Sequence, residues 1–167
     1  MGTPKRIRVL KPNPFSIDYG VSTHTGERHH NQDAVRVTSS PASLHDKGHL
    51  FAVADGMGGH PGGGLASWLA CDGLNLYYGK KIKANVKLNQ ADIGRLLTEA
   101  VIRIDVLKIK DCFLLCTDGL YNAIKEKCIL DLLSKQSIAA DAATELVTRA
   151  LQNGARDNIT AIVIKIE

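Results

Sequence analysis

Three short apolar runs in this chain each meet an aspartate at one end. His49–Ala54 (HLFAVA) runs into Asp55-Gly56, Cys112–Thr117 (CFLLCT) runs into Asp118-Gly119, and Asp157-Asn158 leads into Ile159–Ile166 (ITAIVIKI). Apolar runs of this length bounded by turn residues read as buried strands. A fourth acid, Asp33, opens Asp33–Thr38, where Ala34, Arg36 and Thr38 alternate with Val35 and Val37. The chain is therefore constrained to sheets whose strand ends carry acids, and such carboxylates can converge at one end of a sheet. Carboxylates brought together repel one another, and burial adds to the cost. A divalent cation removes it, and all-oxygen ligation favours Mg²⁺ or Mn²⁺ over zinc. Glycine after an aspartate lets the backbone approach closely enough for its carbonyl to ligate as well. The competing reading of each Asp-Gly pair alone is an ordinary turn.

The rest of the pattern adds helices. All five prolines and all six histidines precede Gly62. Residues 1–14 read as a flexible N-terminal arm, Phe15–Ser22 as a strand, Thr25-Gly26 as a turn and Ser39–Gly48 as a loop. After the glycine-rich turn, Leu65, Trp68, Leu69, Leu76 and Tyr77 recur at helical spacing and predict a core-facing stripe. A second helix is predicted from Asn89, with Ile93, Leu96, Leu97, Ala100, Val101 and Ile104 on one face. Leu107 and Ile109 alternate with Lys108 and Lys110, which reads as a short strand-like stretch. Ile124–Ser134 is helical in pattern, and Ala139, Ala142, Ala143, Leu146, Val147, Ala150 and Leu151 form a further helical stripe. Sheets with helices packed outside them make a layered α+β fold. At about 100–200 residues per domain, residues 15–167 are expected to form a single domain.

Composition excludes several classes. With 44% apolar and 23% charged residues the chain reads as an ordinary soluble domain, and no run nears the ~20 apolar residues of a membrane helix. The 21 basic residues are interspersed with 17 acidic ones, so the net charge of +4 is not a nucleic-acid-binding profile. Two local clusters, Lys5-Arg6-Arg8-Lys11 and Lys80-Lys81-Lys83-Lys87, read as a solvated arm and a helix end. Cys71, Cys112, Cys116 and Cys128 contain no CxxC pair and are expected to be reduced, buried and structural. The start of the chain lacks the apolar stretch of a signal peptide, and Arg6 breaks a myristoylation pattern. The expected compartment is the cytoplasm.

The acids also carry a resemblance. Arg28 and Asp33 lie in RHHNQDA, Asp55–Gly59 read DGMGG with His60 following, Asp118-Gly119 lie in LLCTDGL, and Asp157 lies in RDNIT. In that order these motifs resemble the metal-dependent serine/threonine protein phosphatases of the type 2C family, bacterial branch. The likeness covers about residues 15–104 and 106–167. It implies two antiparallel sheets packed as a sandwich, flanked by helix pairs, with two metal ions (Mn²⁺ or Mg²⁺) at one end. By resemblance Asp55 bridges both ions, the Gly56 carbonyl binds one, Asp118 and Asp157 complete the second, and Asp33 binds directly or through water. Arg28 is implied to hold the substrate phosphate, for which its planar fork is suited. The reaction implied is hydrolysis of phosphoserine and phosphothreonine in proteins by a water that the two ions activate. A phosphorylated protein substrate, a cognate serine/threonine kinase and a monomeric state are implied partners and state. His60 reads as a loop residue without a role, and His29 and His30 as exposed.

The sequence also departs from that family. Gln32 replaces an acid common beside Asp33, and Met57 stands where some members carry a histidine. Between Ile104 and LLCTDGL the family carries a Gly-Ser/Thr strand, a Gly-Asp-Ser-Arg hairpin and a flap, and none is present here. The sandwich is thus expected to be truncated internally, with the join near 104–106. Lost strands expose sheet edges and apolar faces, so reduced stability, activity or both is expected. The alternative is a catalytically impaired module that binds metal or phosphoprotein without turnover.

Overall fold

The computed structural model describes residues 16–38, 49–56, 62–79 and 108–167. In chain order the elements are β1 (Ile17–His24), β2 (Ala34–Thr38), β3 (Leu50–Ala54), α1 (Gly63–Gly79), β4 (Cys112–Cys116), α2 (Asp118–Tyr121), α3 (Glu126–Lys135), α4 (Ala139–Gln152) and β5 (Ile159–Ile166). β1, β5 and β4 form an antiparallel sheet in that order, and β2 pairs with β3 in a second antiparallel sheet.

β5 is the central strand and is covered on both faces, which is why ITAIVIKI runs apolar almost without a break. Ile162, Ile164 and Ile166 face the β2-β3 sheet and pack with Val35, Val37, Phe51 and Val53. Ile159, Ala161 and Val163 face the helices and meet Ala142, Ala143, Leu146 and Ala150 of α4. The two sheets therefore form the sandwich, with α3 and α4 outside one sheet and α1 outside the other. The α+β reading with two packed antiparallel sheets holds.

Long-range contacts fix the helix ends and the close packing. α4 has no side-chain cap of its own. Instead its Ala139 backbone N–H donates to Asp18 Oδ2 of β1 at 2.7 Å, which also sets a negative charge at the helix N-terminus. α4 lies so close to β1 that a Cβ on Gly20 would stand 2.2 Å from the Ala140 Cα. Backbone cannot yield as a side-chain tip can, so Gly20→Ala is expected to cost about 2–3 kcal/mol. A denaturant melt showing a lower midpoint at unchanged slope checks this.

Three expectations need correction. In α1 the buried positions are Gly63, Ser67 and Cys71, a small-residue stripe at i, i+4 and i+8 that lets the helix lie against β2 and β3. Leu65, Trp68 and Leu69 are instead 60%, 50% and 53% exposed, so Trp68 is not a core residue among the described residues. Residues 108–111, just before β4, form a turn rather than a strand. Lys110 takes φ 77°, the Lys108 N–H donates to Asp111 at 2.8 Å, and Ile109 points to solvent. The four cysteines are free as expected, but Cys112 is exposed at the start of β4 and only Cys71 is fully buried. The 1–14 arm, both basic clusters, the predicted second helix and the join near 104–106 lie outside the described residues.

Candidate active site

Register places the four acids at one end of the sandwich. Ala34 pairs with Ala54, so Asp33, just before β2, and Asp55, just after β3, flank the same end of that sheet. Cys116 pairs with Ala161, and the ladder runs one residue further, with the Thr117 N–H donating to the Thr160 carbonyl at 3.1 Å. Asp118 and Asp157 therefore leave β4 and enter β5 at a common end. The two sheet ends meet at Asp33, whose Oδ2 accepts from Thr117 at 2.9 Å and from Thr160 at 2.6 Å.

Close backbone approach holds the loops in place. A Cβ on Gly56 would fall 2.3 Å from the Gln32 carbonyl, and one on Gly119 would fall 2.0 Å from the Asn158 carbonyl. Ser67 of α1 donates to the Gln32 carbonyl, tying the RHHNQD segment to that helix. Asn158 is buried, and its side chain secures the same segment. Its amide donates to the Thr25 and His30 carbonyls at 2.8 and 3.1 Å, and its oxygen accepts the Gln32 N–H at 2.8 Å.

The electrostatics follow from this convergence. Burial, then the charges of Asp33, Asp118 and Asp157, push the Asp55 carboxyl up to about 6, with the Asp118 backbone N–H holding it back. Burial also raises Asp33, opposed by the Thr160 and Thr117 hydroxyls. Asp157 is held below the usual carboxylate range by its hydrogen bonds to Arg28. Nε and Nη2 of Arg28 each reach a different oxygen of Asp157 at 2.9 Å, a bidentate pair. The fork implied for substrate phosphate is thus turned toward an acid of the site, with Nη1 outside that pair.

A raised carboxyl has a signed consequence. Folded Asp55 keeps its proton to about pH 6, whereas the unfolded chain releases it near the ordinary 3.8. The native state therefore binds more protons between about pH 4 and 6, and stability falls as pH rises through that window. Asp55→Asn is expected to reduce this fall, leaving the part that Asp33 contributes, and to stabilise the metal-free protein at pH 7 by ~1 kcal/mol, the modest value reflecting solvent screening of a partly buried group. Thermal melts with EDTA at pH 4, 5, 6 and 7 check it.

The five charged residues that the sequence singles out are linked electrostatically: Asp55 feels Asp33, Asp118 and Asp157, Asp33 feels Asp118 and Asp157, and Arg28 feels Asp157 and Asp118. His29 and His30 are exposed as expected, while Met57 and His60 lie outside the described residues. Among the described residues no three acidic, histidine or cysteine side chains stand close enough for a ready coordination shell. The donor chemistry still fits a hard divalent ion: carboxylates from four separate segments, two of them raised by burial and by neighbouring acids. Sequence reasoning missed Thr23, Asn31, Thr117, Thr160 and Asn158. Three of these lie inside the strings LLCTDGL and RDNIT, beside the acids that drew notice.

Comparison with known proteins bears on the family and the fold. The family model described as protein phosphatase 2C matches residues 22–106, half of the chain. The chain belongs to the protein phosphatase 2C family. A Mycoplasma pneumoniae protein named "Putative protein phosphatase" is 35% identical over 65 residues, 39% of this chain and 25% of that protein. The match thus spans about a quarter of the length of that curated relative. Among solved structures, the catalytic domain of the serine/threonine phosphatase PstP in complex with two manganese ions aligns with TM-score 0.66 at 20% identity, covering 91% of this chain and 99% of that one. The S. agalactiae serine/threonine phosphatase aligns with TM-score 0.68 at 16% identity, covering 91% and 100%. At these identities the two structures establish the fold. Among the described residues no helix is long and apolar enough to cross a membrane.

Proposed function

We propose that this chain hydrolyses phosphoserine and phosphothreonine in proteins with the help of two divalent ions, Mn²⁺ or Mg²⁺, in the cytoplasm and opposite a serine/threonine kinase. The observation that supports the reading is the position of four strand-end aspartates, from four segments, at one end of the sandwich. Asp33, Asp55, Asp118 and Asp157, with the Gly56 carbonyl, would hold the ions. The ions would supply an activated water and charge neutralisation at phosphorus.

The chain's own residues set the stage for that chemistry. The antiparallel ends hold Asp33 and Asp55 on one side and Asp118 and Asp157 on the other. Arg28 has two tasks. Its Nε/Nη2 side orients Asp157, and its remaining N–H groups are available to a phosphoryl oxygen as charge develops there. With an activated water supplied by the ions, the site would need no nucleophilic side chain.

The test is phosphate release from phosphothreonine and phosphoserine peptides by the purified monomer. Release that requires Mn²⁺ or Mg²⁺ and stops with EDTA is expected. A folded monomer with no metal-dependent release would favour the second reading, a module that binds without turnover. That reading draws on one observation: the acids do not form a closed coordination shell.

A further inference from the structure

Asp33 is held by more than its neighbours in sequence. Its Oδ2 accepts two hydroxyls, Thr160 at 2.6 Å and Thr117 at 2.9 Å. Thr160 is fully buried on β5 and faces its register partner Thr23 of β1, the hydroxyl oxygens 2.9 Å apart. Asn31 Nδ2 donates to the Thr23 hydroxyl at 2.8 Å, and Asn31 Oδ1 accepts the Asp33 N–H at 3.0 Å.

Proton counting gives the chain a direction. A threonine hydroxyl has one hydrogen. That of Thr160 goes to Asp33, because an ionised carboxylate only accepts, so Thr23 must be the donor to Thr160. Thr23 then has its lone pairs free to accept from Asn31. Thr117 is directed in the same way, since its oxygen accepts the Thr160 N–H at 3.0 Å while its hydrogen goes to Asp33. The bonds from Asn31 through Thr23 and Thr160, and from Thr117, all run toward one carboxylate oxygen, and bonds aligned this way polarise one another.

We infer that Asn31, Thr23 and Thr160 form a one-way hydrogen-bond chain that, together with Thr117, fixes the Asp33 carboxylate so that Oδ2 is consumed by the fold and Oδ1 is the oxygen presented to the site. These four are positioning residues: they act through Asp33. The inference deepens the metal-site reading and rests on it for its consequence, but the orientation itself does not depend on a bound ion. Groups that orient a ligand without touching the metal typically change affinity by about 10–100-fold when removed.

The experiment measures Mn²⁺ affinity by electron paramagnetic resonance for the wild type, Thr160→Val, Thr160→Ser and Thr23→Val, with a thermal melt of each. Thr160→Val is expected to bind Mn²⁺ about 10–100-fold more weakly. Thr160→Ser, which keeps the hydroxyl, is expected to retain most of the affinity, and Thr23→Val to fall between. A folded Thr160→Val that binds like the wild type overturns the inference, as does a Thr160→Ser as weak as the valine variant. A metal-free measurement separates this from the parent reading. Proton NMR of the wild type is expected to show a slowly exchanging Thr160 hydroxyl coupled to the Asp33 carboxyl carbon. Its absence overturns the inference. Its presence in a wild type that binds no Mn²⁺ supports the orientation of Asp33 and sinks the metal site instead.

Discussion

Asn158→Ala is expected to destabilise the folded chain by about 3 kcal/mol, counting about 1 kcal/mol for each hydrogen bond lost. Asn158 is 6% exposed and its side chain satisfies three backbone groups: the Thr25 and His30 carbonyls and the Gln32 N–H. Truncation strands all three, in a place where the Gly119 backbone already presses against the Asn158 carbonyl. The segment they hold carries Arg28 and leads directly into Asp33, so the site loosens with the fold. For a chain of this size 3 kcal/mol corresponds to a fall in Tm of about 6–12 °C. Circular-dichroism melts in metal-free buffer measure it, and an unchanged Tm would mean that other contacts hold the segment.

The second large effect is chemical. Asp118→Asn is expected to lower Mn²⁺-dependent hydrolysis of p-nitrophenyl phosphate by 100-fold or more, about 2.7 kcal/mol of barrier. Asp118 opens the short α2 immediately after Thr117, and its charge acts on Asp55, Asp33 and Arg28 together. Asparagine keeps the shape and removes the charge that a divalent ion needs. The Tm of the metal-free protein should not fall, which separates loss of chemistry from loss of fold. A variant that retains a tenth or more of wild-type turnover would take Asp118 out of the site.

Much of this was legible in the residues. The run ITAIVIKI is β5 to the residue, because a central strand covered on both faces needs no polar alternation. The alanine-rich stripe of α4 reads correctly, since small residues at helical spacing allow close packing on a sheet. The acids stood out because each ends or opens an apolar run. What stayed hidden is what depends on contacts distant in sequence. Asp18 caps α4 from 121 residues away, and Arg28 reaches Asp157 across 129. Local periodicity holds no record of either. Thr160 reads only as an ordinary strand residue, and Thr23 falls just past the strand read over Phe15–Ser22. Their hydroxyls matter because register sets them opposite each other beside Asp33. In α1 side-chain size does not track burial, and Leu65, Trp68 and Leu69 face solvent. The face that meets the sheet is Gly63, Ser67 and Cys71, where small side chains permit close approach.

The proposed function depends on the four carboxylates at the sandwich end holding divalent cations. The most direct measurement is a Mn²⁺ titration of the metal-free wild type followed by electron paramagnetic resonance, with Asp118→Asn beside it. Two ions bound by the wild type, with weaker or fewer ions in the variant, are expected. Wild type and variant with the same Mn²⁺ binding, or with none, would contradict the account.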